Sequence, residues 1–66
     1  MRLELVTIGD ELLLGFTVDT NAAYMARELA GIGVEIVRRA TCGDEPEAIT
    51  EAVGDALRRT GAVITT

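Results

Sequence analysis

The sequence has no histidine, lysine or tryptophan, and only one cysteine, one proline, one tyrosine and one phenylalanine among 66 residues. The missing histidine removes Ser-His-Asp and Cys-His catalysis. It also removes structural zinc, which needs several Cys or His ligands at fixed spacing. A single Cys42 excludes an internal disulfide, and with no cation or His beside it in the sequence it reads as a small inert residue. Cations are few: six arginines against eleven acids give a net charge of −5. Binding along a nucleic-acid backbone needs clustered cations, so no nucleic-acid partner is expected. Long apolar runs are missing too. Nothing approaches the roughly 20 residues of a membrane helix. Met1-Arg2-Leu3-Glu4-Leu5 has an acid inside its apolar run, so it is not a signal peptide. The expectation is a cytoplasmic protein with no membrane partner.

Sixty-six residues allow one small domain, and a chain of this size buries only about 60% of its unfolded surface. Leu3 to Ile8 is a short aliphatic run closed by Gly9-Asp10, the pattern of a strand covered on both faces of a parallel sheet. Glu11 to Val18 has no decisive period and is expected as an ordered loop with apolar anchors. Ala22, Met25, Ala26, Leu29 and Ile32 recur at helical spacing, predicting a helix over 20–32. Asp19, Thr20 or Asn21 can cap its start. Gly33 suits a left-handed residue at its end, with Val34 packing back. Val34 to Thr41 alternates like an edge strand, with Val34 and Ile36 on one face and Val37, Arg39 and Thr41 on the other. Asp44-Glu45-Pro46-Glu47 predicts a second helix start, with Asp44 as cap. Its buried stripe is expected to be Ile49, Ala52, Val53, Ala56 and Leu57. Gly61 then ends the helix before a third strand at Ala62-Val63-Ile64.

The resulting order is β-α-β-α-β, an α/β fold with a three-layer parallel sheet and right-handed crossovers. The more apolar strands 1 and 3 favour the order 2-1-3, which makes a switch point where ligands collect. Three polar clusters fall at that edge. The first is Gly9, Asp10 and Glu11, where Gly9 allows close backbone approach and Asp10 can hold Mg²⁺, an ion satisfied by one or two carboxylates plus phosphate oxygens. Ordinary turn chemistry also accounts for these residues. The second is Asp19, Thr20 and Asn21, a helix start suited to an anion such as phosphate, or equally to capping alone. The third is Gly43 and Asp44, for which capping is a sufficient account. The glycine spacing is neither a dinucleotide fingerprint nor a Walker loop.

Ile8-Gly9-Asp10-Glu11-Leu12-Leu13-Leu14-Gly15, Asp19-Thr20-Asn21, Leu29 to Gly33, Gly43-Asp44 and Ala62 to Thr66 resemble the start of the competence/damage-inducible protein A (CinA) family. Its N-terminal domain is similar to the molybdopterin-binding domains of molybdenum-cofactor biosynthesis. The resemblance implies that residues 1–66 are the N-terminal portion of one such α/β domain, ending before a glycine-rich, acidic loop. It implies a metal-dependent ADP-ribose pyrophosphatase that is inactive as these 66 residues alone. Magnesium or a similar divalent metal, with potassium as a further cation, would serve as cofactor for a small nucleotide ligand in a homo-oligomer. The alternatives are a molybdopterin-binding domain, with a pterin ligand, and a non-catalytic folding unit.

Overall fold

A computed structural model describes all 66 residues. Three parallel strands, β1 (Arg2–Ile8), β2 (Glu35–Cys42) and β3 (Val63–Thr65), form one sheet in the order β2-β1-β3. The helices are α1 (Asp10–Leu13), α2 (Thr20–Ala30) and α3 (Pro46–Arg59). The expected α/β order is therefore observed, with β1 central. Leu3 to Thr7 are all buried because helices cover both sheet faces. On one side Val6, Cys42 and Ala56 form a core packed by Ile8, Ala48, Ile49, Ala52 and Val63. On the other, Thr7 reaches Asp19 at the start of α2, whose Ala22 is 1% exposed. No helix is long and apolar enough to cross a membrane.

Four sequence expectations need correction. The stretch Glu11 to Val18 is not wholly loop, because Gly9 O accepts the amides of Leu12 and Leu13 and closes α1. Its leucines are poor anchors: Leu13 and Leu14 are exposed. Next, α2 stops at Ala30, so Ile32 is carried off the apolar stripe and exposed. Gly33 does take the left-handed conformation, at φ +85°, and the Val34 amide turns back to Leu29 O.

The third correction concerns β2. Leu3 pairs with Ile36 but Glu4 pairs with Arg38, so Val37 is an extra residue in a bulge. A bulge reverses the alternation beyond it. Arg39 and Thr41, in register with Leu5 and Thr7, therefore share the α2 face with Ile36 instead of opposing it. Finally, Ala56 is fully buried in α3 as expected, whereas Leu57 is 47% exposed because only one stripe of this helix meets the sheet.

Candidate functional site

At the C-terminal edge of the sheet, β1 is held on both sides. Gly9 N donates to Cys42 O (2.9 Å) and Ile8 N to Thr66 O (2.9 Å), so the chain leaves β1 between the ends of β2 and β3. Asp10 and Asp44 then meet across that edge. Asp44 N donates to Asp10 Oδ1 at 3.0 Å, and Asp10 N approaches Asp44 Oδ2 at 3.5 Å. Two loops 34 residues apart in sequence are thereby pinned together.

This contact overturns the expectation that Asp44 caps α3. The residue before a proline is held extended, and Glu45 has φ −64° and ψ 133°. Helical geometry can begin only at Pro46, which makes Glu45 the residue in the cap position, without a side-chain cap bond. Asp44 lies one residue too early and turns to Asp10 instead. Gly43 is buried behind this contact: a Cβ there would stand 2.6 Å from Asp10 Oδ1. Close approach explains this glycine. Gly9 is also buried, while Asp10, Glu11 and Asp44 are exposed. The Glu11 carboxylate folds back over Gly9, where a Cβ would meet its Oε1 at 2.7 Å.

The second cluster reaches the same edge from the α2 side. Asp19 is the cap: its Oδ1 accepts the Ala22 amide at 3.0 Å and its Oδ2 accepts the Thr7 hydroxyl at 2.7 Å. These bonds, Ala22 first and Thr7 second, hold the Asp19 carboxyl below the ordinary carboxylate value. Thr20 and Asn21 follow, exposed, on the first turn. Burial and then the nearby Asp44 charge raise the Cys42 thiol, in keeping with an inert side chain.

Two residues outside the predicted clusters matter. Thr7 is 3% exposed yet polar, and Glu4 is 2% exposed in the central strand. Arg59 donates to Glu4 through Nε (3.2 and 3.3 Å) and Nη2 (2.7 Å), Thr60 Oγ1 donates to Glu4 Oε2, and Arg38 lies 3.8 Å away. The Arg59 hydrogen bonds, then Thr60, hold the Glu4 carboxyl low, and the same contact raises the Arg59 guanidinium. A lone acid in a buried aliphatic strand was the available signal, since such a group must be paired. The Glu4 cluster joins β1 to the end of α3, away from the Asp10 edge.

Residues 4–66 match the family model for a probable molybdopterin binding domain. A CinA-like protein of Gemmatimonas aurantiaca is 73% identical over 66 residues, covering 100% of this chain and 15% of that protein. A CinA-like protein of Chlorobaculum tepidum is 47% identical over the same length, 16% of its own. The crystal structure of the protein CinA from Thermoplasma acidophilum superposes with a TM-score of 0.90 at 31% identity, covering 98% of this chain and 40% of that one. The chain thus spans about a sixth of the curated relatives it matches. It belongs to the probable molybdopterin binding domain family, in the form found in CinA-like proteins.

Proposed function

We propose that this segment forms the β1/β2 side of the pocket of a cytoplasmic, homo-oligomeric CinA-type domain that cleaves the pyrophosphate of ADP-ribose with a divalent metal. The observation that carries the reading is the Asp10–Asp44 contact, which gathers two exposed carboxylates at the ends of adjacent parallel strands. Ligands of open α/β sheets bind at such an edge. Each of these carboxylates keeps one oxygen that takes no hydrogen bond from the protein. That donor set fits Mg²⁺, which takes one or two carboxylates and completes its shell with water and phosphate oxygens. Asp10 would hold the ion with help from Asp44, and potassium would be a secondary cation. A bound divalent ion supplies charge neutralisation and a more acidic water. The chain's own groups do the positioning: Gly43 lets the β2 loop approach Asp10, and Thr20 and Asn21 offer polar groups to a phosphate. Catalysis is a property of the whole protein, and the 66 residues alone are expected to be inactive.

A second reading is favoured by the family description: the same edge receives molybdopterin, a pterin ligand. The two separate in one experiment on the full-length protein that carries this segment. AMP release from ADP-ribose is followed across a Mg²⁺ titration, with molybdopterin binding measured alongside. Asp10→Asn removes charge while preserving size, and should lower metal-dependent turnover at least about tenfold with little change in melting. Tight molybdopterin binding with ADP-ribose left intact would replace the hydrolase reading by the pterin one.

A further inference from the structure

We infer that Thr7 is a positioning residue for the ligand edge: its buried hydroxyl fixes Asp19 and, through it, the first turn of α2 that carries Thr20 and Asn21. The inference rests on the proposal that this edge binds a ligand. Thr7 is 3% exposed, on the central strand, two residues before Gly9, where the chain turns out toward Asp10. Its hydroxyl donates to Asp19 Oδ2 at 2.7 Å while the other oxygen, Oδ1, accepts the Ala22 amide at 3.0 Å. Capping α2 requires only the second bond, and water can satisfy the outer oxygen of a cap at a helix start. The Thr7 bond does something the cap does not. It ties the start of α2 to the same strand that delivers Asp10, so one hydroxyl fixes the spacing of the two arms of the pocket.

The other charged group on this face is Arg39 of β2, which attracts the Asp19 carboxylate but joins none of the ion pairs in the molecule. It adds attraction without a directed bond, so Thr7 is what sets the orientation of Asp19 from the sheet. Without the hydroxyl, the half-buried carboxylate loses its directed donor from the sheet and keeps only the amides of its own helix start. The first turn of α2 then frays, and ordering it becomes part of the cost of binding.

The test uses the full-length protein, with ADP-ribose and molybdopterin as titrants, at a temperature where every variant is folded. Thr7→Val removes the donor and keeps the shape; the affinity for whichever titrant the wild type binds should fall about tenfold, the effect of losing one charge-assisted hydrogen bond. Thr7→Ser, which keeps the hydroxyl, should bind within about twofold of wild type on the same reasoning. The Asp19 carboxyl, followed by NMR, should titrate at higher pH in Thr7→Val and near its original pH in Thr7→Ser. If Thr7→Val titrates differently but binds as well as wild type, the hydroxyl serves the fold alone and the inference fails by itself. If the wild type binds neither titrant, the ligand-edge proposal fails and takes the inference with it. Should Thr7→Val not fold, Thr7→Cys, which puts a weak-donor thiol where Thr7→Ser has its hydroxyl, carries the comparison against Thr7→Ser.

Discussion

Gly43 and Asp44 stand next to each other and do different work. Asp44 makes one long contact through its carboxylate, 3.5 Å, and one normal bond through its backbone amide, 3.0 Å. Asp44→Ala removes only the former and should cost less than about 0.5 kcal/mol, as expected of an exposed side chain. Gly43→Ala places a methyl 2.6 Å from Asp10 Oδ1 and 3.5 Å from Leu13 Cδ2, so the carboxylate must move off the Asp44 amide. We expect about 1 kcal/mol of destabilisation in urea from that lost bond. Equal midpoints for the two variants would contradict it. The sequence did place Gly43-Asp44 after a strand and beside a proline-led helix. It did not reveal the bond to Asp10, because contacts between positions 34 apart leave no periodic trace.

Among the elements, β1 and α3 are joined by the Glu4 cluster, and this junction should be sensitive to acid. Glu4 and Asp19 both have carboxyls depressed below their ordinary values of 4.5 and 3.8. A depressed carboxyl contributes stability that is complete above its unfolded value and is lost as pH falls through its folded value. Melting temperature should therefore be flat from neutrality down to about pH 5 and fall below pH 4.5, the Glu4 reference. Arg59→Met leaves Glu4, 2% exposed, without its closest cation, so it should lower the melting point at neutral pH and shrink the fall in melting point below pH 4.5. Arg58→Met is the control. Its pair with Asp55 is exposed and three residues away in the helix, an arrangement worth only a few tenths of a kcal/mol. Melts of both variants between pH 3 and 7 check the contrast, and identical acid profiles would refute the role of Arg59. The bulge at Val37 belongs to this scale as well, because it sends Arg38 toward Glu4 and Arg39 toward Asp19.

The whole molecule has little interior. Only 10 of 66 residues are buried, and Leu5 and Val6 are the largest fully buried side chains. Leu14, Phe16, Val18 and Ile32 are each at least 65% exposed, and the outer edge of β3 has no strand beside it. Open edges and exposed apolar side chains both favour association. The isolated 66 residues should self-associate in light scattering and melt broadly, at or below the usual mesophile limit of about 65 °C. A sharp monomeric transition above that temperature would contradict this.

The sequence by itself determined the element order, the central apolar strand and the polar character of the three loops at one edge. These follow from short-range causes: aliphatic runs, helical spacing, and glycine or proline at boundaries. Tertiary structure alone decided which polar groups meet. The one-residue bulge at Val37 set the faces of Arg38 and Arg39, Pro46 denied Asp44 its cap and left it to Asp10, and Glu4 found Arg59 from 55 positions away. Each outcome depends on register and on how helices sit against the sheet. Those are fixed by packing across the sheet, which the periodicity of any one segment does not encode.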